Sequence, residues 1–535
     1  MSDPEKHHHT SPSHEPTLKR SIGLVGIIGL GLSIVNGWVA MSSTIVIGLG
    51  QGGAPLILYG ILGTTAVNVF LILTIAELAS AYPTAGGQYV WSAILSQLSS
   101  SASDGASAPL EREQEQGKKQ PRYPLSFIVG WATVYEWIVI VTAVAIICSQ
   151  TVFGLVTTFN PSFQVERWQV FLILFLINTN AALANIFFTH RMKGVGTFFL
   201  FFSTTVYVAI LITCPASAPT HQSSAFVWTH WQNAIGWDNK FVVAATGLVN
   251  PGFIWSGLDG AVHIAEDCLD PARVVPLALF SSIGIGFVTA FSFSIALLYS
   301  VQDIDAAAAS ELPFLTIIVQ ATNSRVAGAI FMTCFLAVVS LMTNSIQMAS
   351  SRLIWSFARD NALPFSSALS HVHPRLRVPV LPVIVSWAGV TVLGCLYIAS
   401  STVYNSIISC CIILQNFSFA IVAAQLLYRK RRFNENRWLK LGWVGWVANI
   451  ITIVWFTFST VMWLFPLEPN PTGSTMNYSV AVLGAMAIIA TLDWVFYARK
   501  HFRGPSDATM VALEAESPHG VESKSEVEHA EARVI

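Results

Sequence analysis

The sequence predicts an all-α integral membrane protein of twelve transmembrane helices, and three observations predict it. First, 53% of the 535 residues are hydrophobic and only 11% are charged, against roughly a quarter charged in an ordinary soluble protein. Second, apolar runs long enough to cross a ~30 Å hydrocarbon core as helix recur along the chain. They cover 22–47, 55–80, 125–157, 168–189, 195–214, 241–265, 276–300, 327–351, 379–399, 404–428, 443–465 and 478–498. Third, the basic residues segregate. With both termini in the cytoplasm, Lys19, Arg20, the 111–122 loop, Arg191, Lys193, Arg352 to Arg377, Arg429 to Lys440 and Arg499 to Arg503 all lie inside. Only Arg167, Lys240 and Arg325 then fall outside. That bias fixes the orientation, and an odd number of spans would destroy it.

One membrane domain, 21–500, is expected between two short tails. Residues 1–20 are polar and His-rich, with no cleavable signal, and read as a disordered cytoplasmic tail; the Glu-rich 501–535 segment reads the same way. The Ser/Ala-rich, then charged, 98–122 loop is expected to be flexible. Outside, Trp228, Trp231 and Trp237 suit an aromatic belt at the membrane surface, and Leu312–Thr322 reads as a short helix on the outer face. Asn477-Tyr478-Ser479 forms a glycosylation sequon pressed against span 12. A net charge of −1 points to no nucleic acid. The seven cysteines show no paired metal spacing and sit mostly in apolar spans, so no disulfide framework, metal or cofactor is expected. His7–His9 lie in the tail and read as solvated.

Two spans are not ordinary. Asn250–Pro276 is interrupted by Ser-Gly-Leu-Asp-Gly, and Gly23–Gly37 crowds glycine into the membrane core. Lipid cannot satisfy freed peptide groups, so unwound backbone at depth must line a protein-enclosed site. Two such spans, five apart, point to the substrate site of a secondary transporter. In span 6 the break is expected over Ser256 to Gly260, with Gly257 and Asp259 at the substrate and Phe253 and Trp255 as apolar walls. In span 1 the break is bracketed by Gly29 and Gly37, and Gly29, Gly31, Ser33 and Asn36 are the candidate contacts. The competing reading makes these glycines simple helix-packing contacts.

Ionisable residues inside spans are functional candidates because burying them is costly. Glu136 lies near mid-depth of span 3, placed to bind a substrate ammonium, carry a proton, or make a structural hydrogen bond. Asp259 contacts substrate or caps the outgoing half-helix. Glu77 reads as a gate or structural pair, while His263 and Glu266, on one half-helix face, read as packing and hydrogen-bonding groups, with a proton role as the alternative. Span 8 carries a polar run, Ser340, Thr343, Asn344, Ser345 and Gln347, from which Asn344 joins the candidate substrate contacts. Arg352, Arg359 and Asp360 follow as a latch at its cytoplasmic end. No phosphate-binding glycine loop ending in Lys-Ser/Thr and no nucleophile–base pair is present, so neither ATP-driven transport nor an enzyme is expected.

At AELASAYPTAGGQYVW (76–91), SGLDGAVHIAEDCLDPARVVP (256–276), ELPFLTIIVQAT (311–322) and SSRLIWSFARDNALPFS (350–366), the chain resembles the fungal amino acid/choline permeases of the amino acid–polyamine–organocation superfamily. The resemblance runs from about Leu18 to Arg503. It implies ten core helices in two inverted five-helix repeats, helices 1 and 6 broken, and two further C-terminal helices. It also implies uptake of choline, 4-aminobutyrate, an amino acid or a related amine, generally with protons, across the plasma membrane. Span 5 departs from part of that superfamily by carrying Ser203, Thr204 and Thr205 with no mid-span Lys, so the resemblance does not assign the coupling ion. A non-transporting nutrient receptor on the same fold is the alternative.

Overall fold

The computed structural model describes residues 23–103, 123–188, 192–308, 310, 312–399, 403–433, 437–466, 468–473 and 476–505. Among them are twelve helical spans apolar enough to cross a membrane: Val25–Ile45, Gly53–Ala81, Pro124–Phe159, Arg167–Phe187, Gly194–Ser217, Lys240–His263, Pro271–Ser300, Arg325–Arg359, Val380–Ile398, Tyr404–Tyr428, Val444–Trp463 and Ser479–His501. These are spans 1 to 12. Most ends fall within three residues of expectation. Span 7 starts at Pro271 because proline suits the first helical turn, where its missing N–H costs nothing. Span 8 runs on to Arg359, since its last two turns stay buried as far as Ala358.

A helix over Gln88–Ser103, between spans 2 and 3, was not expected. It takes in the first residues of the 98–122 loop; 104–122 and both tails up to 22 and from 506 lie outside the described residues. A turn at 83–87 leads into it, with Gly87 at φ +54°. The short outer helix is found at Pro313–Thr322.

Spans 1, 3, 6 and 10 are the most enclosed, whereas spans 11 and 12 are largely peripheral. Phe201, Val288, Ile330, Val392 and Phe496 face outward, as side chains on a lipid-contacting surface would. Glycine lets span 1 approach its neighbours closely. A Cβ on Gly29 would sit 2.3 Å from the Gly196 carbonyl of span 5, and one on Gly37 would sit 2.2 Å from that of Gly286 in span 7. Here the packing role of small residues accounts for the sequence. Beyond the break, Trp38 stacks among Phe293, Phe335 and Tyr207, sealing that side of the bundle.

Candidate functional site

Both expected breaks are present. Span 1 is helical over Leu24–Ile34 and again over Gly37–Gly50, with Val35 and Asn36 extended between. Span 6 narrows to a 3-10 turn at Phe253–Trp255, unwinds over 256–259, and recovers for one turn at Gly260–His263. Gly257 holds φ +77°, the left-handed region that glycine enters without steric cost. The two breaks meet. A Cβ on Gly257 would lie 2.9 Å from Ile34, at the end of the first half-helix, and 3.5 Å from Trp137 of span 3.

Span 10 services the freed backbone of span 6. The Gly257 N–H donates to Gln415 Oε1 at 2.7 Å, Gln415 Nε2 donates to the Trp255 carbonyl at 3.0 Å, and Ser256 Oγ lies 3.0 Å from Cys411 Sγ. Trp255 turns its indole N–H to Thr64 of span 2 at 3.2 Å and packs its ring at Gly286. Two of the freed backbone groups, the Gly257 N–H and the Trp255 carbonyl, are thus satisfied within the protein. Unpaired side chains lie beside them.

Glu136 is fully buried, and neither carboxylate oxygen has a hydrogen-bond partner among the described residues. It shares a helix face with Ile140, whose Cδ1 would lie 3.6 Å from a Gly257 Cβ, so it looks at the span 6 break. Its electrostatic neighbours are Asp259 and Cys411. Asp259, also fully buried, uses only Oδ2, which accepts from Gln88 Nε2 and pairs with His263 Nε2 at 3.0 Å; Oδ1 is unpartnered. Gln88 Oε1 is likewise unpartnered. Flipping that amide would set oxygen against carboxylate, so the assignment is forced. Four buried acceptor atoms on these three residues thus have no hydrogen-bond donor among the described residues, and the unpartnered indole N–H of Trp137 belongs to a ring that reaches the span 6 break.

The acids at the basic end of the bundle are arranged differently. Glu77 of span 2 pairs with Arg431 and, at 3.1 Å, with Arg437, and it accepts the Leu441 N–H. Glu266 takes two bonds of 3.0 Å from Arg359. Burial pushes its carboxyl up, but that guanidinium overrides the effect and holds it below the ordinary carboxylate range. Asp267 meets Arg352 at 3.3 Å, yet burial prevails and its carboxyl is raised. Asp360 accepts from Tyr89 at 2.9 Å. The latch residues thus tie spans 6 and 8 and the 88–103 helix together.

Glu136, Gly257 and Asp259 come together, with Ser256 adjoining them and contacting Cys411 of span 10, and Trp255 beside Val35. The other candidates are placed elsewhere. Gly29 and Gly31 lie inside the first half-helix, against Gly196 and Ser282; the break falls later because Val35 N–H still bonds the Gly31 carbonyl. Ser33 bonds its own helix at Leu30. Asn36 lies in the span 1 break itself, but its side chain turns away to donate to Ser203 of span 5 at 2.9 Å, beside a recess between spans 1, 5 and 7. Asn344 Nδ2 donates within span 8, its backbone carbonyl accepts from Asn185 of span 4, and its Oδ1 has no partner among the described residues. Phe253 is buried in its turn. The capping reading of Asp259 is overturned, because its carboxylate bonds no helix N–H and goes to Gln88 and His263 instead. Both amide hydrogens of Asn477 are bonded to the Trp463 and Phe465 carbonyls.

Sequence reasoning missed Gln88 and Gln415 and set a packing and hydrogen-bonding role for His263 ahead of a proton role. Each had a signal: a lone glutamine after a Thr-Ala-Gly-Gly turn, a glutamine in mid-span 10, and a histidine one helical turn after Asp259.

Comparison with known proteins gives a concordant picture. The chain is similar to the choline transporter of Saccharomyces cerevisiae, 32% identical over 501 residues that cover 91% of this chain and 83% of that one. It is also 32% identical to a putative amino acid/polyamine transporter of Macrophomina phaseolina, over 85% of this chain and 97% of that protein. The crystal structure of MhsT in complex with L-phenylalanine shares the fold, with a TM-score of 0.51 at 12% identity, covering 84% of this chain and 99% of that chain. Residues 22–487 match the model of the amino acid permease family, and the chain belongs to that family.

Proposed function

We propose that this protein is a secondary active transporter that imports a small amine-bearing nutrient (choline, 4-aminobutyrate or an amino acid), driven by protons, across the plasma membrane, with both termini cytoplasmic. One observation carries the reading. Glu136 Oε1 and Oε2, Asp259 Oδ1 and Gln88 Oε1 are buried acceptors without donors, on Asp259 of the span 6 break and on two residues that interact with it. An unpaired buried acid is among the most costly groups a membrane protein can keep. A substrate cation relieves that cost, and an ammonium brings N–H donors as well. For a quaternary amine, the Trp137 ring beside the break offers a cation–π face. The names of the choline and the amino acid/polyamine transporters it resembles support an amine as cargo.

In this reading the pairs Glu266–Arg359, Asp267–Arg352 and Tyr89–Asp360 close the cytoplasmic side. Alternating access follows when one group of helices, the two inverted repeats being the natural division, rocks about the fixed midplane site and these pairs part. The test is uptake of labelled choline and labelled 4-aminobutyrate by vesicles containing the purified chain. Saturable accumulation against a gradient, abolished by a protonophore, supports the proposal. Binding without accumulation would instead mean a receptor, and dependence on external sodium would replace the proton.

A further inference from the structure

We propose that His263, held between Asp259 and the carbonyl of Ala85, is the site that takes up and releases the transported proton; this rests on the reading of the chain as an amine transporter. Both ring nitrogens face acceptors. Nε2 lies 3.0 Å from Asp259 Oδ2 and Nδ1 lies 2.8 Å from the Ala85 carbonyl oxygen. A neutral imidazole has one N–H and one lone pair. In either neutral tautomer, beside an ionised Asp259, one of the two contacts would set lone pair against lone pair. The observed geometry needs one more proton, on Nε2 or on Asp259 Oδ2. In both cases the dyad holds one proton beyond a carboxylate and a neutral ring.

The surroundings suit a carried proton. His263 and Asp259 are fully buried; Trp137 stands edge-on to the ring with centroids 5.3 Å apart, and a Cβ on Gly87 would come within 3.3 Å of it. Exchange with water therefore requires the bundle to open. The titratable and charged groups about the dyad are Glu266 and Asp267 on its own span, Tyr89 on the 88–103 helix, and Glu136 on span 3. Span 8 adds Arg352, Arg359 and Asp360, and span 10 adds Cys411. Span 1 presents Ile34, an apolar residue, to this turn. Among these, Asp259 alone bonds the ring.

Two consequences follow. With both carboxyls ionised, Glu136 and Asp259 bring two negative charges, while the proton on the dyad and the amine bring one positive charge each. For a cationic amine such as choline the buried centre is neutral only when both are bound, which gives a physical reason for their moving together. The second consequence concerns release. Loss of the proton breaks one of the two His263 contacts, and Ala85, through its N–H, also bonds Glu266 Oε1 at 3.3 Å, the partner of Arg359. Deprotonation therefore loosens the turn that joins the site to the pairs closing the basic end. One proton enters from outside with the amine and leaves to the inside with it, carrying one positive charge beyond the substrate's own.

The test uses the full chain in liposomes with labelled choline and labelled 4-aminobutyrate, comparing exchange with accumulation under an imposed pH gradient. In the wild type one pH unit coupled to one proton sustains about tenfold accumulation. In His263→Gln the centre keeps an uncompensated negative charge with the amine bound, so exchange should fall by more than about tenfold, and accumulation and proton flux should be lost. His263→Lys supplies a fixed positive charge and donors to both partners, and should exchange without accumulating. Accumulation at the wild-type level by either variant overturns the proposal. Loss of exchange in both also counts against it, since the ring would then hold the site and not carry the proton. A wild type that exchanges neither amine defeats the transporter reading itself, and this proposal with it.

Discussion

Buried acids occur in two regions of this molecule under opposite arrangements. At the basic end Glu77, Glu266 and Asp267 each meet arginine. At mid-depth Glu136 meets none, and Asp259 leaves an oxygen free. Glu77 and Glu136 are both fully buried, so depth does not separate them; the presence of a fixed counter-charge does. An acid clamped by arginine is complete within the protein and serves as a fastening. In the proposed reading, the mid-depth acids without one are completed from outside, by substrate or proton. Burial marks both kinds, and only the partner tells them apart.

The contrast breaks most sharply at Gly257. Leucine there would clash with Ile34 and leave the backbone at a φ of +77° that side chains avoid. Gly257→Leu should abolish uptake while the protein still reaches the membrane. Because this change touches none of the paired acids, near-normal uptake would place the substrate elsewhere. Next is Glu77→Gln, which leaves Arg431 and Arg437 without their counter-charge. Breaking a buried pair on one side costs about 3–5 kcal/mol, so thermal unfolding should move down steeply. The same exchange at Glu136 orphans nothing, and its unfolding temperature should hold or rise. Equal destabilisation of the two variants would erase the distinction between the regions. The smallest effect is expected at Asn344, whose bonds run to span 4 and its own helix. Asn344→Ala should leave the substrate half-saturation value within about threefold, as for a surface or packing change of ~0.5 kcal/mol; a tenfold rise would return it to the site.

The spans and the existence of two breaks were legible because they rest on composition and on backbone rules that lipid enforces without exception. The break in span 6 was legible to the residue, since only Gly257 tolerates the conformation found there. The break in span 1 was not. Gly29 and Gly31 looked like its cause, yet they serve close approach to spans 5 and 7, and glycine alone does not say which use it has. Asn36 and Asn344 were chosen for polarity in an apolar run, but the Asn36 amide goes to Ser203 on another span, and span 8 meets Asn185 of span 4 through the backbone carbonyl of Asn344. Those pairings are set by helix rotation, which hydropathy does not encode. Gln88 escaped notice because it sits on a helix outside the twelve spans and reaches Asp259 across 171 positions of sequence.

The central claim is that the unpaired acceptors about Glu136 bind an amine cation, and equilibrium binding tests it most directly. Purified wild type and Glu136→Gln are titrated with choline, with 4-aminobutyrate, and with a neutral isostere of each lacking the charged nitrogen. The account predicts that the wild type prefers the charged compound. In Glu136→Gln that compound should bind more weakly by about 2–5 kcal/mol, with the isostere little changed. Equal affinity of both proteins for the charged compound would contradict it.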